Sequence, residues 1–65
     1  MQWMPIADDL PREGLAVLVT YVDMYGDRAV TIARWHKDQW IVDDYGVLKT
    51  VSAWMRLPRP FKEQV

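Results

Sequence analysis

Four stretches of the chain carry strand-like patterning, and each is closed by a turn signal. Residues 15–23, LAVLVTYVD, and residues 28–36, RAVTIARWH, are dense in β-branched and aromatic types. Between them lies MYGD, in which Gly26 can take the positive φ of a hairpin turn. Lys37-Asp38 is a polar break, and residues 39–43, QWIVD, read as a third strand. Residues 44–50, DYGVLKT, read as a loop or the start of another hairpin around Tyr45-Gly46, and residues 51–57, VSAWMRL, as a short fourth strand. Strands joined at this spacing make an antiparallel meander. The ends break the pattern. Residues 1–14 hold two prolines and finish on Gly14, which predicts an extended segment with a turn near Pro11–Gly14. Asp8 or Asp9 is placed to cap a single helical turn there. Pro58 and Pro60 exclude a central strand from the C-terminal tail. The expected fold is therefore mainly β: a small antiparallel meander of three to four strands, covered by extended N- and C-terminal segments, in one domain spanning residues 1–65.

The pattern also suggests which side chains share a face. A two-residue loop at Tyr25-Gly26 or Gly26-Asp27 would set odd positions of the first strand opposite even positions of the second. Leu15, Val17, Val19 and Tyr21 would then join Val30, Ile32, Arg34 and Ile41 in an aliphatic main core. Ala16, Leu18, Thr20 and Val22, with Ala29, Thr31, Ala33 and Trp35 and then Trp40 and Val42, would form a flatter second face. Both faces are partly apolar and both need cover. The chain has only its ends for this, with Trp3 and Ile6 at the front and Trp54, Leu57 and Phe61 at the back.

Composition narrows the classes of function. A chain of 65 residues is one domain at most and buries a small share of its surface. Chains of this size lean on disulfides, a metal, dense packing or oligomerisation. There is no cysteine, which removes disulfides and agrees with a cytoplasmic location. His36 is the single histidine, which leaves no ligand set for zinc. The formal net charge of −1 lacks the basic excess of a nucleic-acid binder. No apolar run approaches the roughly 20 residues of a membrane span. What remains is packing, served by four tryptophans, and self-association into a homo-oligomer.

The chemistry of turnover is hard to find. Thr20, Thr31, Thr50 and Ser52 have no adjacent base pattern, and a lone His36 at a strand end is more often solvated than catalytic. Asp8-Asp9 and Asp43-Asp44 are vicinal, and neighbours in a strand point to opposite faces, so neither pair makes an acid–base couple. Their spacing is not that of a calcium loop. The three glycines, at 14, 26 and 46, mark separate turns and make no phosphate loop. The expectation is a protein that is not an enzyme and needs no cofactor or metal.

Recognition groups are present. With Lys37-Asp38 as a two-residue turn, Trp35 and Trp40 fall directly opposite in a non-hydrogen-bonded pair, where cross-strand aromatics interact best. The plainer reading is a clasp that holds the hairpin. The functional reading is an aromatic platform for a base or a proline-rich peptide. Arg34 and Arg56, with Trp54, complete the candidate binding set: Trp35, Trp40, Arg34, Trp54 and Arg56.

The whole chain also resembles a known family. An opening set of Trp3, Pro5, Leu10, Pro11, Gly14, Val17, Leu18 and Val19, a strand Trp40, and a closing set of Val51, Trp54, Met55, Leu57, Pro58 and Pro60 resemble the small bacterial and phage "domain of unknown function 551". That family commonly has His before the second Trp and Pro after the Met. Here those positions are Ala53 and Arg56. The resemblance implies a small antiparallel β-rich fold and a frequent home in phages and prophages, and it brings no activity.

The expectation is then a small non-enzymatic binding module of phage or prophage type. It would act stoichiometrically in the host cytoplasm to inhibit or modulate a host defence factor. The alternatives are a binder that sequesters a cyclic or linear nucleotide at a subunit interface, and a structural or assembly component.

Overall fold

The computed structural model describes residues 2–43 and 46–58, and they form one antiparallel sheet. Its six strands are β1 (Met4–Pro5), β2 (Ala16–Val22), β3 (Arg28–His36), β4 (Gln39–Val42), β5 (Gly46–Leu48) and β6 (Val51–Arg56), in spatial order β1-β6-β2-β3-β4-β5. The mainly β fold is as the pattern predicts, but the sheet has six strands and not three to four. The two extra strands are the short edge strands, β1 of two residues and β5 of three. Proline-containing β1 and the brevity of both keep the unpaired edges small. The sheet is also not a simple meander, because β6 returns past three strands to pair with the far side of β2.

The first hairpin corrects the face assignment. Val22 lies opposite Arg28, and within the turn Asp23 N–H donates to Asp27 O at 2.8 Å, leaving three residues, Met24, Tyr25 and Gly26, in the loop. Gly26, at φ 82°, takes the left-handed position of a three-residue hairpin, and its N–H donates to Asp23 O at 3.0 Å. The Asp23 carboxylate accepts from the N–H groups of Tyr25 and Asp27, each at 2.9 Å. The loop is thus one residue longer than the two-residue turn the pattern suggests. Odd positions of β2 lie opposite odd positions of β3: Val17 opposite Ala33, Val19 opposite Thr31, Tyr21 opposite Ala29. A shift of one residue moves every β3 side chain to the other face. Val30, Ile32, Arg34 and Ile41 therefore do not join Val17 and Val19.

The core lies on the face of Val17 and Val19, both with no exposed area, together with Ala33, Trp40, Val42 and Val51. Ile6, Tyr21, Trp35, Leu48 and Trp54 pack against them. A register shift between β2 and β6, with Ala53 opposite Thr20 and Val51 opposite Tyr21, leaves Ser52 as an extra residue. This bulge lets Val51 and Trp54 both serve the core face.

The N-terminal segment supplies the cover. Ile6 N–H donates to Ser52 O at 3.1 Å, extending the pairing of β1 with β6. Pro5 O then closes a single turn, accepting from Asp8 and Asp9 N–H at 3.0 and 3.4 Å. Neither aspartate caps it from the N-terminal side, since Asp9 Oδ1 accepts from Leu10 N–H beyond it. The Trp54 indole N–H donates to Asp9 O at 3.0 Å, Pro11 is buried, and Gly14 N–H donates to Trp35 O at 2.9 Å. Residues 4–14 thus run as a strap from β6 to the end of β3. Trp3, at 41% exposed, and Leu57, at 38%, contribute less than the sequence suggests, and Phe61 lies outside the described residues.

The second hairpin is closed by Lys37-Asp38 as predicted, with both residues at positive φ, 48° and 62°. A mirror-image type I turn needs this, and it suits Asn-Gly far better than Lys-Asp. Asp38→Gly should therefore stabilise the domain by about 1 kcal/mol, which for a chain of this size is a rise in Tm of roughly 4–8 °C. A thermal melt followed by circular dichroism checks this, and an unchanged or lowered Tm would contradict it.

Candidate binding surfaces

The Trp35–Trp40 pair forms as the spacing predicts. The residues are direct cross-strand partners, with ring centroids 5.1 Å apart and planes tilted by 57°. Trp40 is only 5% exposed and Trp35 is half-buried. A base cannot stack on a ring with no open face, so Trp40 is core. Beside the pair runs a shallow groove of about 380 Å³, lined by Ile6, Trp35, Trp40, Leu48, Lys49 and Val51 among others.

The candidate binding residues do not converge. Trp35, Trp40 and Trp54 belong to the covered face. Arg34 is exposed on the opposite face, opposite Ala16 on one side and Ile41 on the other. Arg56 is exposed at the end of β6, opposite Val17. Arg34 therefore lies across the sheet from the tryptophans. His36 Nδ1 is 3.5 Å from a Glu13 oxygen, and Glu13 also accepts from Lys37 N–H at 3.3 Å. Both side chains are about half exposed, and the pair ties the strap's end to the second hairpin. Among the described residues no three His, Cys, Asp or Glu are grouped to hold a metal ion.

Two surfaces stand out besides the candidate residues. The first is the tip of the β2–β3 hairpin. Met24 is 88% exposed and Tyr25 is 82% exposed, on a loop whose backbone is fixed by Asp23 and Gly26. Both names stand in the motif MYGD, where a turn of two large apolar residues is itself a signal. The second is the open face of the sheet. Leu18, Val30, Ile32, Ile41, Val47 and Met55 share it, and Val30 and Ile32 are more than half exposed. No described segment crosses it. Its signal was present too, but the one-residue register error split it between two faces.

Comparison with known proteins finds one family. The model of the family described as "Protein of unknown function (DUF551)" matches residues 2–62. No curated protein and no solved structure matches the chain.

Proposed function

The chain belongs to the family of proteins of unknown function DUF551, and from its surfaces we propose that it is a small non-enzymatic module that binds another protein stoichiometrically. The hairpin tip carries this reading. Leaving Met24 and Tyr25 in water gains nothing for the fold, and a turn of polar residues would serve the register equally well. A rigid turn that holds out a tyrosine and a methionine is suited to fill an apolar pocket, with little ordering cost on binding. Tyrosine brings large contact area at low entropy cost, and methionine adapts to irregular pockets. The phage or prophage setting that goes with the family resemblance makes a host factor, met in the host cytoplasm, the partner of choice.

A nucleotide-sequestering role finds less support. The groove beside Trp35 and Trp40 brings up Lys49 as its one cation among the described residues, and Arg34 is across the sheet. That is a poor match to a phosphate-rich ligand.

The proposal predicts a specific loss. Replacing Met24 and Tyr25 together by serine should leave the fold and its melting unchanged. It should weaken the complex with a host protein by about 30-fold or more, the effect of losing a hot spot. The measurement is a titration against the protein that a photo-crosslinker at position 25 captures from host lysate. A complex that the double variant forms with undiminished affinity would sink the reading.

A further inference from the structure

Only part of β3 has a neighbour on its outer side. β4 pairs with Arg34, Trp35 and His36, and the ladder goes no further, because β4 ends at Val42. β2, by contrast, holds β3 from Arg28 to Arg34 without a break in register. Residues 28–32 of β3 are therefore a sheet edge, although β3 lies inside the strand order. The hydrogen-bond pattern says which groups face out. Asp23 pairs with Asp27 across the turn, so the bonded pairs of the hairpin are Tyr21–Ala29, Val19–Thr31 and Val17–Ala33. The same alternation lets Trp35 O accept from Gly14 N–H. The N–H and C=O groups of Arg28, Val30 and Ile32 point the other way, away from β2. Among the described residues no backbone hydrogen bond reaches them.

The outermost strands are blunted, β1 by Pro5 and β5 by its length of three residues. Residues 28–32 have no proline, glycine or lysine, and no bulge interrupts their pairing with β2. Val30 and Ile32 are 57% and 52% exposed, because no strand lies beside them. At the step where β4 stops, a cleft of about 470 Å³ is lined by Leu18, Val30, Thr31, Ile32, Val42 and Asp43.

We propose that this edge takes up an extended segment of a partner protein as an added strand, antiparallel to β3. A row of donors and acceptors at every second residue is matched, group for group, by another strand. Antiparallel is the direction of β4, whose line in the sheet the segment continues. Charge then sets the ends. Such a segment enters at Ile32, beside Asp43, and leaves at Arg28. It carries a cation first, β-branched residues between, and an anion last. A second copy of this chain does not fit. Matching two such edges at Val30 would set Gly26 of the second copy opposite Arg34, where Ile41 already lies. The edge uses neither Met24 nor Tyr25, so it stands apart from the role of the hairpin tip.

The probe is the capped peptide Lys-Thr-Val-Thr-Glu, titrated into the intact chain and followed by NMR. Its valine lies opposite Val30, and its ends lie beside Asp43 and Arg28. Binding should shift the amides of Arg28, Val30 and Ile32 and slow their exchange with solvent. N-methylating the peptide's valine removes the donor to Val30 O and should weaken binding about tenfold. Val30→Pro removes an outward N–H that the fold does not use, so the chain should fold and lose the peptide. Arg28→Glu is the second variant, should Val30→Pro fail to fold, and it should prefer a peptide with lysine at both ends. A chain with Met24→Ser and Tyr25→Ser should bind the probe as the wild type does. The assignment is overturned by an absence of amide shifts, by shifts confined to other strands, or by a folded Val30→Pro chain that binds undiminished. It is equally overturned if the serine variant loses the peptide, or if the Val30 amide is already protected in the free chain by its own tail or by a second copy.

Discussion

Trp40→Ala is expected to unfold the domain outright at room temperature. Trp40 is the largest side chain in the buried cluster, at 5% exposed. Leu48 of β5 and Trp35 of β3 are its strand partners on either side. Truncating a buried tryptophan costs about 3–5 kcal/mol, from lost transfer free energy and from the cavity left behind. A core of this size rarely supplies more than about 3–5 kcal/mol in total. The two quantities are equal within their spread, so no cooperative melt should survive. Trp40→Phe keeps most of the apolar volume and should fold with a lowered Tm. Circular dichroism melts of both variants check the pair, and a Trp40→Ala protein that melts within a few degrees of wild type would show that the aromatic clasp is not what holds the sheet.

Removing residues 1–13 should have an effect of similar size. Among them, residues 4–13 make three kinds of contact with the sheet. Ile6 packs on the cluster, Pro11 is buried, and the backbone supplies the partners of the Trp54 indole and of Ser52 O. Without them Trp54 keeps a polar N–H on a surface newly opened to water, and Val19 and Val51 lose cover. Burying an aliphatic side chain is worth about 1.5–3 kcal/mol and each hydrogen bond about 1 kcal/mol, so the whole again approaches the stability of the domain. The truncated chain should bind a hydrophobic dye and lack a cooperative transition. If it melted like the intact chain, the strap would be an ornament and the core would have some other cover.

Much of this was readable before the structure. β3 falls over residues 28–36, as its composition says, and β2, β4 and β6 differ from the reading by a residue or so at their ends. The Trp35–Trp40 pair followed from a two-residue polar break, since that spacing leaves one way to close the hairpin. The sidedness of the sheet was not readable, and the cause is local. A single glycine after two large residues is compatible with a loop of two or of three. What decides is the Asp23 carboxylate, which accepts from two backbone N–H groups and lets Asp23 and Asp27 pair. With a period of two in a strand, that one residue exchanged the core face and the open face for all of β3 and β4. The strap was foreseen as cover, but its reach was not, because the bond from Trp54 to Asp9 O joins residues far apart in sequence. The spread of the candidate residues over two faces was readable from strand alternation alone. Arg34 and Trp35 are neighbours in the chain, and the strand sends them to opposite sides.

The turn at Asp23–Asp27 also separates two kinds of inheritance. Its geometry is held by one carboxylate, one glycine and the backbone. The side chains of Met24 and Tyr25 hold none of it. Mutations at those two positions can therefore accumulate without disturbing the register of the sheet, and under the proposed binding role each new pair of tip residues would be a new specificity tried on an unchanged scaffold. In a lineage pressed to keep up with a changing target, this loop is where sequence can drift fastest at least risk to folding.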